Sequence, residues 1–226
     1  MNISKLEEAV GPYRPSNHLL TGNDMARVAC GDCAGCSKCC HEMTDTIKVS
    51  PYDLFLLRQG LGLSFEQLLE RYLDLTVDHG VILPHLAMEG EDEHCVFLGE
   101  NGRCTIHPYR TGLCRTFPLG RNYDNETHAL TYFVLEGACY KKDQTKVKVK
   151  KWLDTPRLAE YEAYLVDWHY YVKDLQERSM ELLSSGKQEE AKALAMALLQ
   201  QFYYAEYDLE GDFYEQYYRI RRQAAR

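Results

Sequence analysis

The chain lacks any run of eighteen apolar residues, so no segment reads as a membrane-spanning helix. It lacks an excess of positive charge. Its 26 Lys and Arg stand against 34 Asp and Glu, a formal net charge of -8, which argues against dedicated nucleic-acid binding. No Gly-rich dinucleotide or P-loop pattern occurs, nor a G-x-S-x-G elbow or an H-E-x-x-H helix, so those nucleotide, hydrolase and peptidase signatures are missing. The C-x3-C-x2-C arrangement of radical enzymes that use S-adenosylmethionine is not cleanly present either. No internal repeat or low-complexity tract appears. The N-terminal stretch Met1-Asn-Ile-Ser-Lys-Leu-Glu-Glu has no apolar h-region and no small-residue cleavage site, which predicts a cytoplasmic protein.

Cysteine, by contrast, is dense. Of nine cysteines, five fall within eleven residues, at positions 30, 33, 36, 39 and 40. Cys95, Cys104 and Cys114 follow within twenty residues of one another, and then Cys139. The odd count and the adjacent Cys39-Cys40 make a disulfide framework awkward. At 226 residues the chain can build a core without covalent staples. Thiolates two residues apart can converge on one soft metal centre, the spacing rule of zinc and iron–sulfur sites alike. The expectation is a metal held by thiolates.

The remaining pattern predicts an α+β fold: an irregular, metal-organised cysteine domain with a helical hairpin and a short β-hairpin, plus a C-terminal α-helical layer. Residues 1–29 read as an irregular arm broken by Gly11-Pro12, Arg14-Pro15 and Gly22-Asn23. Residues 30–150 form the cysteine domain and 151–226 the helical layer. Ser50-Pro51 opens a helix that Gly60 stops. Ser64 and Gln67 make a capping box for a second helix, striped by Phe65, Leu68, Leu69, Tyr72 and Leu73. Residues 94–107 read as a β-hairpin turning near Asn101-Gly102, with Cys95 and Cys104 on its two arms. Residues 130–135 read as a strand. Tyr161, Tyr164, Leu165, Trp168, Val172 and Leu175 mark one face of a long helix ending at Ser184-Ser185-Gly186. Ala191, Leu194, Ala195, Leu198 and Phe202 mark a second, and residues 212–222 a third.

Two spacings overlap in the first cluster. Cys30, Cys33, Cys36 and Cys40 fit C-x2-C-x2-C-x3-C, with His41 where a ferredoxin run has proline. Cys33, Cys36, Cys39 and Cys40 fit the more distinctive C-x2-C-x2-C-C. With Cys95-Val-Phe-Leu, Gly102-Arg-Cys104-Thr-Ile and Arg110 before Cys114-Arg-Thr-Phe-Pro118, the chain resembles the CxxCxxCC cysteine-cluster family, the YkgJ-type zinc- or iron-chelating domains. The resemblance covers roughly residues 30–121. It implies that Cys33, Cys36, Cys39, Cys40, Cys95, Cys104 and Cys114 belong to one site region, with Cys30 an eighth thiolate. Two departures stand out: His107 replaces the family's tyrosine, and Thr111 follows Arg110 where the family has Arg-Pro. Flagellin lysine-N-methylases carry a similar motif, and that resemblance implies an iron–sulfur cluster; the expected cofactor is an iron–sulfur cluster, 4Fe-4S favoured, or zinc.

Other residues carry weaker expectations. Arg110 and Arg115 flank Cys114 and suit compensation of a thiolate-rich centre. His41 reads as a neighbour of the metal loop, His107 as a weak nitrogen ligand, and His79, His85, His94 and His128 as scattered. Cys139 reads as a small buried hydrophobe. Lys146-Val-Lys148-Val-Lys150 suits an edge strand guarded by lysines. Arg219, Arg221, Arg222 and Arg226 suit a solvated helix end. Three classes stay open: a metal-cluster protein of unassigned reaction, a zinc-stabilised interaction module, and an S-adenosylmethionine-dependent protein-lysine methyltransferase. The partners implied are a protein substrate or partner, with no nucleic acid and no membrane. The oligomeric state is not legible.

Overall fold

The computed structural model describes residues 13–29, 36–139 and 143–224. In chain order its elements begin with β1 (Arg14–Pro15), β2 (Met25–Ala29), α1 (Pro51–Leu61) and α2 (Phe65–Arg71). Next come β3 (Leu73–Asp78), β4 (Val81–Leu86), β5 (Met88–Glu89), β6 (His94–Cys95) and α3 (Gly112–Thr116). Then follow β7 (Leu119–Tyr123), β8 (Leu130–Glu136), β9 (Thr145–Lys148) and α4 (Val149–Leu153). Last are α5 (Leu158–Ser184), α6 (Gln188–Phe202) and α7 (Phe213–Ala224). Small antiparallel strand groups alternate with helices, and α5–α7 form the C-terminal helical layer. This is the expected α+β class. No helix among the described residues is long and apolar enough to cross a membrane.

The chain divides into two units. The first comprises Met1–Cys39, Glu100–Arg103 and Gly112–Val166. Its three-stranded antiparallel sheet has the order β1-β8-β7, and β2 pairs separately with β9. Alternation along β2 turns Ala26 and Val28 inward. There they join Leu119, Tyr132, Val149 and Leu153 in one buried cluster, edged by Leu20, Val147 and Trp152. Each fully buried aliphatic side chain stabilises by roughly 1.5–3 kcal/mol. The Trp152 indole N–H donates to Phe117 O at 3.2 Å, so the ring closes one side of the cluster without stranding its polar atom.

The second unit comprises Cys40–Gly99, Cys104–Thr111 and Asp167–Arg226. Ser50 and Ser64 each accept from the backbone N–H three residues on, and Asp53 and Gln67 reach back to complete capping boxes at α1 and α2. The core here is aromatic. Phe202 is fully buried, with Trp168, Tyr171 and Tyr217 at ring-centroid distances of 5.2, 5.4 and 5.9 Å. Two of the buried phenols find acceptors. Tyr203 donates to Val49 O at 2.9 Å and Tyr217 to Asp167 Oδ2 at 2.6 Å. Burial pushes the Tyr203 phenol well above its ordinary range.

Several elements differ from the sequence reading. The C-cap of α1 is Gly62, in the left-handed region at φ 67, and Gly60 lies inside the last turn. Gly60 serves a different purpose there: a Cβ at that position would collide with the Tyr109 ring. Leu73 belongs to β3 and not to the stripe of α2, because Tyr72 caps that helix. Strands β3 and β4 form a hairpin that the pattern does not announce. Strands also occur at β1 and β2, where the sequence reads none.

Candidate metal-chelating site

The first cysteine segment enters the described residues at Cys36, which is half-buried. A 3-10 turn over Lys38–Cys40 follows, burying Cys40. The next residue, His41, makes an isolated antiparallel bridge with His94, and Glu42 N–H donates to Glu93 O at 3.0 Å. That bridge brings the chain segments carrying Cys40 and Cys95 side by side.

Cys95 is the buried end of β6 and pairs with Met88 of β5. Val96 N–H donates to Ala87 O at 3.1 Å, and Leu98 N–H turns back to Cys95 O at 2.7 Å. Phe97 then stacks on Tyr72 at 4.7 Å, which fixes the segment between the two sulfurs. Leu98 bridges to Cys104, and Thr105 donates through both its N–H and its hydroxyl to Phe97 O. Gly102 supplies the positive φ, at 70°, that the return needs. The expected hairpin thus exists as one bridge around a turn, not a regular ladder. Its role of bringing Cys104 back toward the strand of Cys95 is retained. Cys40, Cys95 and Cys104 all belong to the second unit.

Cys36 and Cys39 belong to the first unit, with Cys114 and Cys139. Cys114 is half-buried in the short helix α3. Gly112, two residues earlier, leaves room for the Tyr161 hydroxyl, which a Cβ would strike, and for Arg121 Nη2 at 2.7 Å from that Cβ position. Arg121 donates to that hydroxyl at 3.0 Å. Cys139 is half-buried, less enclosed than a core hydrophobe, and its carbonyl lies 3.4 Å from Gln144 Nε2. None of the seven described cysteines stands in a disulfide. Cys30 and Cys33 lie outside the described residues. Among the described residues, no group of three or more His, Cys, Asp or Glu is arranged to hold a metal ion.

His41, His94 and His107 are engaged. His94 Nδ1 lies 2.7 Å from Asp92 Oδ1, and its Nε2 lies 3.5 Å from Glu89 Oε1. The hydrogen bond to Asp92 raises the pKa of His94. His41 Nδ1 stands 3.6 Å from the other Asp92 oxygen. These carboxylates orient both rings, a pattern that spacing could not show because the four residues come from two chain segments. The Arg110 guanidinium turns onto the His107 ring, with Nη1 at 2.8 Å from Nδ1, and also donates to His107 O at 3.1 Å. His107 therefore faces a fixed cation. Arg115 Nη1 donates to Asp154 O at 3.2 Å, past the end of α4.

Soft thiolates kept out of disulfides fit a thiophilic metal by donor chemistry, zinc and iron alike. The model of one family, CxxCxxCC, described as "Putative zinc- or iron-chelating domain", matches residues 32–152. The chain belongs to this family. The match extends past the motif series to take in Cys139, β9 and most of α4, and it begins after Cys30. No curated protein and no solved structure matches the chain.

Proposed function

We propose that the protein holds an iron–sulfur cluster through thiolates drawn from Cys33, Cys36, Cys39, Cys40, Cys95, Cys104 and Cys114, with Cys30 as an eighth donor. The observation that carries this reading is the family match, because one zinc- or iron-chelating model spans the seven motif cysteines. The supply of thiolates exceeds the four that a closed tetrahedral zinc takes and accommodates a four-thiolate cluster. The burial of Cys40 and Cys95 supports a retained metal, since enclosed sulfurs are shielded from solvent and oxidant. When bound, such a cluster supplies electron transfer or an iron for ligand coordination.

Anaerobic purification with iron, zinc and acid-labile sulfide analysis tests it. The expected product is brown, with iron and sulfide in equal amounts. Stoichiometric zinc in a colourless protein would replace the cluster with a structural zinc module, and neither metal would remove the reading altogether. Cys40→Ser and Cys104→Ser should each lower the metal content and destabilise the fold, because metal binding is coupled to folding. Cys139→Ser should leave the metal content near that of the parent protein.

A further inference from the structure

The hairpin β3–β4 has one edge occupied and one open. On the far side of β4, Val49 N–H donates to Pro84 O at 2.8 Å and Leu86 N–H donates to Ile47 O at 3.1 Å. Pro84 and Leu86 therefore turn their backbone groups away from β3. Their register partners are Leu75 and Leu73, and Val77 follows two residues on, opposite Ile82. In an antiparallel pair that alternation aims the N–H and C=O of Leu75 and Val77 away from β4, toward the outer edge. Among the described residues no strand pairs with that edge. Leu75 is 46% exposed, and Val77, at 69%, is the most exposed large apolar side chain among the described residues.

The edge is also held rigid. His79 and Gly80 both take positive φ, at 45° and 80°, so a two-residue turn closes the hairpin with the twist that strands favour. Helix α5 fastens the tip: Ser179 Oγ donates to Gly80 O at 2.9 Å and Gln176 Nε2 to Asp78 O at 3.5 Å.

The charge at this edge selects its occupant. Asp74 and Asp78 bracket Thr76 on one face, while Leu75 and Val77 share the other. A second copy pairing antiparallel about Thr76 would set Asp74 opposite Asp78 twice. A parallel, in-register copy would set each aspartate beside its equivalent. Like charges directly opposed destabilise a strand pair, so self-association is disfavoured either way. Asp45, whose carboxylate bonds Thr76, is paired with the Lys48 ammonium at 2.9 Å and cancels as a unit, and the exposed His79 ring lies 3.8 Å from Asp78 Oδ1. We propose that the outer edge of β3 docks an extended segment of a partner polypeptide, with lysine or arginine at two positions four apart and apolar residues between them. Such a segment adds as a third strand. Its backbone pairs with Leu75 and Val77, its cations face Asp78 and Asp74, and its apolar side chains cover Leu75 and Val77. The inference does not depend on which metal the protein holds.

Nuclear magnetic resonance titration of the metal-loaded, full chain with a glycine-flanked Lys-Val-Thr-Val-Lys peptide tests this. Saturable shifts of the Leu75 and Val77 amides are expected, weakening as salt is raised. The counterpart with glutamate for lysine should bind at least about tenfold more weakly, from the loss of two opposed-charge pairs. Asp74→Lys with Asp78→Lys should reverse that preference. Val77→Pro removes an N–H that β4 does not use, so it should abolish binding while the hairpin persists. Equal binding of the two peptides, shifts elsewhere without shifts at Leu75 and Val77, or undiminished binding by Val77→Pro would overturn the proposal.

Discussion

The two units differ in what fills them. The first is centred on a small cluster from strands only four to seven residues long and one short helix, with Ala26, Val28, Leu119, Val149 and Leu153 around a single Tyr132. The second is centred on aromatic rings from helices of 12 to 27 residues, with Trp168, Phe202 and Tyr217 in mutual contact and Phe213 stacked on Tyr217. A long helix repeats its apolar face several times, so its pattern rises above chance, whereas a five-residue strand repeats its alternation only twice. The aromatic unit is correspondingly the one whose helices the sequence announces. Each unit nonetheless uses the same device once: a helical glycine beneath a tyrosine. Gly60 lies under the Tyr109 ring, and Gly112 under the Tyr161 hydroxyl.

The contrast can be broken from the largest effect downward. Phe202→Ala should cost about 4 kcal/mol, because three aromatic neighbours lose their common partner and cannot collapse into the cavity. Leu153→Ala in the aliphatic cluster should cost about 3 kcal/mol. Denaturant midpoints measured with the metal bound would show the ordering, and a larger loss for Leu153→Ala would reverse the assignment of where the stability lies.

The glycine pairs give the next step. Gly→Ala inside a helix ordinarily stabilises by about 1 kcal/mol. At Gly60 the new methyl meets the Tyr109 ring, and overpacking of this kind costs about 1–3 kcal/mol, so Gly60→Ala should be destabilising on balance. Gly60→Ala combined with Tyr109→Ala should then recover part of the loss. An additive double variant would show that the close contact is not the cause.

The caps come below that. Ser50→Ala should cost about 1 kcal/mol, as the hydroxyl that accepts Asp53 N–H is lost at the N-terminus of α1. Thermal unfolding of Ser50→Ala beside Ser50→Thr would check it, since threonine keeps the cap.

The smallest effect depends on pH. Burial raises the pKa of Glu162, while the Tyr132 hydroxyl, donating to it at 2.9 Å, partly opposes that rise. A carboxyl whose folded pKa lies above its unfolded value adds stability at low pH and loses it as pH climbs through the folded pKa. Glu162→Gln keeps an acceptor for Tyr132 and removes the titration. Its melting temperature relative to the parent protein should therefore rise from acid toward neutral pH. A difference that stays flat, or runs the other way, would assign Glu162 a favourable charged partner.

The legible parts share a physical cause. Ser50-Pro51 and the Ser64–Gln67 pair are local signals, since a cap is satisfied within four residues of chain. The family likeness was legible because the cysteines sit at short, ordered spacings. The hairpin β3–β4 was not. Its Leu-Asp-Leu-Thr-Val-Asp alternation follows an amphipathic helix directly, and its second strand, Val81–Leu86, is buried on both faces and shows no alternation. The carboxylates around His41 and His94 were equally hidden, because the bridge that joins them spans some fifty residues of sequence.

The sequence by itself determined the zinc- or iron-chelating family, the α+β class and the capped helices, all of which rest on spacing within a few residues or on repetition along one helix. The tertiary structure alone decided that a bridge between His41 and His94 joins the segments of Cys40 and Cys95, that Arg110 turns onto His107, and that β3 presents an open edge carrying Asp74 and Asp78. Those outcomes follow from strand register and side-chain packing between distant segments, and register is set only when the whole buried face closes.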